Sequence, residues 1–97
     1  MNEQEKKFLK LMSEKIWIAE NKILQYGMEQ NASILFEIKE SLTEISAAAS
    51  SGKHENILAI LNMLTNMIDN MLLNPSYRKQ QNIDFLIKGV GSLKSIT

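Results

Sequence analysis

Few residues in this 97-residue chain could do covalent chemistry. It has one histidine, His54, and no cysteine. That removes thiol catalysis, thiolate zinc sites, disulfides and any mechanism needing two imidazoles. His54 lies between Lys53 and Glu55 at a predicted helix start and reads as an exposed loop residue. Glu37, Glu40 and Glu44 share a helix face. A carboxylate metal centre in a helical bundle needs Glu-x-x-His pairs or a second carboxylate helix, and none of the three has His three residues on. They read as a solvated face. Lys88-Gly89-Val90-Gly91-Ser92 is glycine-rich, but a phosphate cradle follows a strand, and the residues before it are helical in pattern. It reads as a flexible turn. No enzyme, metal or cofactor is expected.

Binding chemistry offers more. Ala48 and Gly52 have the spacing of a helix-turn-helix turn, but Ser51 stands where an apolar residue belongs. The helix that follows is apolar almost all round, where a recognition helix needs a basic face. Tyr77-Arg78-Lys79 is a small basic cluster. Eleven basic against eleven acidic residues leave no net charge for broad attraction to nucleic acid or anionic lipid. Nucleic-acid binding would require Lys53, Arg78, Lys79 and Lys88 to converge on one face. Met63, Met67 and Met71 recur at i, i+4 and i+8, and read either as core filling or as an adaptable binding stripe. Asn62, Asn66, Asn70 and Asn74 form a parallel ladder, solvated or interfacial. Trp17 sits beside the main apolar stripe of its helix, as an interface anchor or buried against the third helix.

These residues are positioned by four predicted helices in a single domain, residues 1–97. Leu9, Met12, Ile16, Ala19, Ile23 and Tyr26 are spaced 3-4-3-4-3 and define a first helix over 3–26. The register then fails. Gly27 to Gln30 reads as a turn with Asn31 as the next N-cap, and a continuous helix with a shifted seam is the competing reading. Leu35, Ile38, Leu42, Ile45 and Ala49 give a second helix over 32–49, ending in Ser50-Ser51-Gly52. The third, over 54–73, is apolar on most of its circumference and should be central or bind a partner. Asn74-Pro75 stops it, and a short fourth helix over 76–88 follows, burying Tyr77, Ile83 and Leu86 or Ile87, with Phe85 a further candidate. Gly89 and Gly91 then loosen the chain. Abundant Leu, Ile and Met with a single Val, and no alternating runs, leave no case for strands. The fold class is therefore all-α, a bundle of three long helices plus a short C-terminal one.

Residues 1–50 carry six Lys and eight Glu, whereas residues 51–97 carry five basic and three acidic residues. The halves can attract each other or pair in an antiparallel dimer. No signal-peptide pattern and no uncharged run of ~18 residues is present, so a cytoplasmic protein without a membrane span is expected.

From Asn56 to Leu93, the run Asp69-Asn70-Met71-Leu72-Leu73-Asn74-Pro75-Ser76-Tyr77-Arg78, then Asn82-Ile83-Asp84-Phe85 and Gly91-Ser92-Leu93, resembles the central stretch of PUB domains. These are small helical adaptors that grip the C-terminal tail of a hexameric AAA unfoldase. The resemblance implies tail-contacting roles for Asn70, Tyr77 and Arg78. The expected function is a non-catalytic protein–protein interaction module (an adaptor, chaperone or regulator), self-associating or binding another protein through apolar helix faces. Trp17, Met63, Met67, Met71, Asn70, Tyr77 and Arg78 are its expected contact residues.

Overall fold

The computed structural model describes residues 2–96. Four helices, α1 (Glu3–Glu29), α2 (Ala32–Ser51), α3 (Glu55–Leu73) and α4 (Gln80–Ile96), follow one another, with a single 3-10 turn at Pro75–Tyr77 before the last. Among the described residues there is no strand. α1 packs on α2 and α4, and α3 packs on the same two neighbours, so α1 and α3 lie across a diagonal. The bundle measures 44 × 20 × 20 Å, the long dimension being that of α1 at roughly 1.5 Å per residue.

Asparagines set the helix boundaries. The side chain of Asn2 accepts a hydrogen bond from the Glu5 N–H (2.8 Å), Asn31 accepts from the Ser33 N–H (3.0 Å), and Asn74 accepts from the Ser76 N–H (3.0 Å). Each satisfies a donor that the first turn cannot bond internally. Pro75 takes the first position after Asn74, where a missing N–H is harmless. α1 runs three residues past the expected end, through Gly27. Gln30, not the glycine, adopts the left-handed conformation (φ 53°) and returns its N–H to Tyr26 O at 2.7 Å.

The C-terminal segment departs furthest from expectation. Residues 75–77 form the 3-10 turn, Tyr77 is 45% exposed, and α4 continues through Gly89 and Gly91 to Ile96. It is still the shortest of the four helices. Gly89 does not loosen the chain. A Cβ there would lie 2.2 Å from Leu64 Cδ2, so the missing side chain is what lets α4 close on α3.

The core is one continuous cluster. α1 contributes Phe8, Met12, Ile16, Ala19, Ile23 and Tyr26; α2 contributes Ile34, Leu35, Ile38, Leu42, Ile45 and Ala49. α3 adds Ile57, Leu61, Leu64, Ile68 and Met71, and α4 adds Ile83, Leu86, Val90 and Leu93. At the N-terminal end of the stripe Phe8 replaces Leu9, because a 3-4 stripe drifts by about 20° per heptad on a straight helix. Lys15–Glu44 and Lys22–Glu37 (3.3 Å) join α1 to α2 seven residues apart on each helix, marking an antiparallel register. Lys39–Asp69 (2.5 Å) and Lys94–Glu20 (3.3 Å) join α2 to α3 and α1 to α4. Such exposed pairs are worth about 0–1 kcal/mol each and contribute more to register than to stability.

α3 is long and apolar enough, at mean hydropathy 1.2, to pass for a membrane-spanning helix by length and composition. Here it packs in the bundle, with four asparagines along it and Asp69 paired to Lys39.

Candidate interaction surface

Trp17 points outward, 66% exposed, and it is not alone. Leu24 (58%) and Met28 (81%) follow it at seven and eleven residues, which at 100° per residue places all three within a 40° arc. They form a stripe of roughly 16 Å directly opposite the buried face of α1. The Asn21 side chain donates to the Trp17 carbonyl (2.7 Å) within this stripe. Lys6 and Lys10 are exposed at the N-terminal end of the same line. On α2, Phe36 is 61% exposed, and the neighbouring Lys22–Glu37 pair sets it level with Leu24. Sequence reasoning singled out Trp17 but missed Leu24, Met28 and Phe36. The seven- and eleven-residue spacing from Trp17 was a readable signal for the two on α1, whereas Phe36 beside the core residue Leu35 offered none.

The methionines of α3 separate. Met63 is 56% exposed, Met67 is partly buried against the core, and Met71 is fully buried. A four-residue step turns 400°, so an i, i+4, i+8 stripe rotates 40° per step and walks from solvent into the core. Met71 therefore has no surface to offer a partner.

Asn70 is exposed on α3 and Tyr77 on the turn beyond it. Arg78 is engaged within the chain. Its Nε donates to Met71 O at 2.6 Å and Nη2 to Leu72 O at 3.4 Å, capping the carbonyl end of α3 with a cation. The Asn82 side chain donates to Tyr77 O at 2.7 Å and fixes the turn from the other side. Of the three positions that the PUB resemblance assigns to tail contact, Arg78 is thus engaged in helix capping, whereas Asn70 and Tyr77 are open to solvent.

The four lysine and arginine positions named for nucleic acid do not converge. Lys53 sits at the α2–α3 link, and Arg78 and Lys79 sit at the α3–α4 link, at the opposite end of the bundle. α2 and α3 lie side by side as an antiparallel hairpin rather than crossing as in a helix-turn-helix.

At the α2–α3 link, His54 stacks on Phe8 with ring centroids 4.3 Å apart and planes 6° apart. The link is a Schellman motif: the His54 N–H bonds Ala49 O (3.0 Å) and the Lys53 N–H bonds Ser50 O (3.3 Å). Lys53 takes the left-handed position (φ 59°) that glycine usually fills. Gly52 stands one place earlier, because a Cβ there would meet His54 Nε2 at 2.6 Å. An open cleft of about 640 Å³ lies alongside, walled by Phe8, Leu11 and Ala48 with Lys7, Lys53 and His54 at its edge. Among the described residues no three His, Asp or Glu side chains gather closely enough to hold a metal ion.

The Lys15 ammonium is held above its ordinary pKa of 10.5, chiefly by its hydrogen bond to Glu44. Burial pushes the Tyr26 phenol above 10.0, with Arg78 pulling weakly the other way. The Tyr26 hydroxyl is buried and has no hydrogen-bond partner among the described residues. With Glu37 and Glu44 each paired to a lysine, the carboxylate face of α2 is divided rather than convergent.

No protein-family model matches the chain, and no curated protein or solved structure is significantly similar to it.

Proposed function

We propose that this protein is a non-catalytic interaction module that binds another protein through the outer face of α1. The observation that carries this reading is the aligned, exposed stripe of Trp17, Leu24 and Met28. Large apolar side chains exposed in line, rather than scattered singly, mark interfaces, and tryptophan is enriched among the residues that anchor them. The partner is inferred to be an amphipathic helix. Its apolar face would cover the stripe, and acidic residues at one end would meet Lys6 and Lys10. Self-pairing of this stripe is disfavoured: an antiparallel copy centred on Trp17 would set Lys10 on Leu24 and Lys6 on Met28.

Trp17 is the only tryptophan, so its emission reports the face directly. Titration with a helical peptide carrying leucines on one face and glutamates at one end should shift that emission to the blue. Leu24→Glu should weaken binding at least tenfold, and replacing the peptide's glutamates with lysines should weaken it further. An unshifted spectrum at high peptide concentration, with circular dichroism showing the helices intact, would sink this reading.

A further inference from the structure

We infer that the outer face of α3 is a self-association surface on which a second copy of this chain packs antiparallel about Asn66. Ala59, Asn62, Asn66, Asn70 and Leu73 are all exposed and lie on one stripe of α3, opposite its core-facing side. Their spacing is 3-4-4-3, which reads the same from either end. An antiparallel copy with its two-fold axis at Asn66 therefore sets Asn66 against Asn66, Asn62 against Asn70, and Ala59 against Leu73.

The residue types suit that pairing as well as the spacing does. A side-chain amide carries both donor and acceptor, so Asn can bond Asn across a two-fold axis, which a charged group cannot do with its own kind. Leu73 is the most exposed large apolar residue among the described residues, at 84%, and the residue facing it would be the exposed, small Ala59. A projecting side chain meets a gap at both ends of the contact. Between Glu55 and Leu73 the only charge is Asp69, and it is turned to Lys39 on α2. Charge depletion of this kind is the compositional mark of an interface core. Met63, 56% exposed, lies at the edge of the stripe.

The asparagines themselves need an account. Asn2, Asn31 and Asn74 cap helices, and Asn21 and Asn82 bond backbone carbonyls. Among the described residues the exposed side-chain amides of Asn62, Asn66 and Asn70 find no hydrogen-bond partner, and neither does that of Asn56 in the first turn, yet mid-helix asparagine is among the weaker helix formers. Pairing across a two-fold axis would give all three a partner. The inference does not rest on the α1 reading, because α1 and α3 lie across the diagonal of the bundle and each face can be tested without the other.

A stripe of about four turns from each copy is small for an interface, so the dimer should be weak, with Kd on the order of 10 μM or weaker. Light scattering from micromolar to millimolar concentration should show the mass rise from 11.0 kDa toward twice that value. A constant monomer mass up to millimolar would overturn the inference. Asn66→Lys places like charges on the axis at an exposed site. It should weaken association at least tenfold with unchanged circular dichroism, and an unaffected dimer would move the interface off α3. The register has its own test, since the chain has no cysteine. Asn66→Cys should cross-link to itself on mild oxidation, and Asn62→Cys should not. Equal cross-linking of the two, or none at Asn66→Cys, would overturn the antiparallel arrangement. Trp17→Glu should leave the mass profile unchanged.

Discussion

Tyr26 holds its hydroxyl in the core without a partner. A buried polar group left unbonded costs about 1–3 kcal/mol, so Tyr26→Phe should stabilise the protein, by about 1 kcal/mol in urea unfolding. The same burial raises the phenol's pKa above 10.0, which fixes a pH dependence. As pH rises past about 10, tyrosine in the unfolded chain loses its proton first while the folded chain retains it, so the folded state binds more protons and stability falls with pH. Below the unfolded pKa this contribution is fully present, and it is lost as pH rises through the folded value. Lys15, raised by Glu44, acts with the same sign above 10.5. The Phe variant should therefore lose less stability than the parent above pH 10, as seen in denaturant midpoints across that range. At the α2–α3 link, Lys53→Gly relieves a left-handed backbone at a non-glycine residue and should add about 0.5–1 kcal/mol. Gly52→Ala should do the opposite, because its Cβ displaces the His54 ring from Phe8. Thermal unfolding of the two single variants separates these effects.

At the scale of the helix, three glycines sit where a helix former would ordinarily be preferred, and the structure divides them. Gly27 and Gly91 have nothing within 4 Å of an added Cβ, so alanine at either should gain about 0.5–1 kcal/mol from helix propensity. Gly89→Ala brings the same propensity but drives a methyl group into the fully buried Leu64, and should lower the melting temperature. The order Gly91→Ala above parent above Gly89→Ala is the expected ranking, and an equal gain at both would mean that α4 does not close on α3 at Gly89. These glycines also show where sequence was hard to read. The Asn31 cap and the Asn74-Pro75 stop were legible because a capping side chain acts on its own neighbours. A glycine inside an apolar pattern is ambiguous: it can end a helix or admit another one, and only the distance to Leu64 decides. For the same reason the outward direction of Leu24 and Met28 was recoverable from their spacing to Trp17. The stacking of His54 on Phe8, 46 positions away in the chain, was not.

At the scale of the molecule, the ion pairs and the glycine seam give each neighbouring pair of helices its own register device. α1–α2 has two lysine–glutamate pairs seven residues apart, and α3–α4 has Gly89 under Leu64. Reversing both partners at once, Lys15→Glu with Glu44→Lys, should leave the urea midpoint close to that of the parent. Lys15→Glu alone sets like charges together and should lower the urea midpoint, more at low salt than at high. The two proposed binding faces lie on diagonal helices. A pair joined through α3 would therefore carry its two α1 stripes on opposite outer sides, able to engage two partners at once.

An even number of antiparallel helices has a topological consequence. The start of α1 and the end of α4 return to the same pole: Asn2 and Ile96 both border the surface around Lys53 and His54. The polypeptide is therefore close to a closed loop, and where that loop is opened is a matter of covalent connectivity rather than of packing. A circular permutant of residues 2–96 that joins Ile96 to Asn2 through a short glycine-serine linker, and is opened between Gln30 and Asn31, keeps every helix neighbour and both binding faces. It should fold with the helical spectrum of the parent, and its new ends would emerge at the pole of Tyr77.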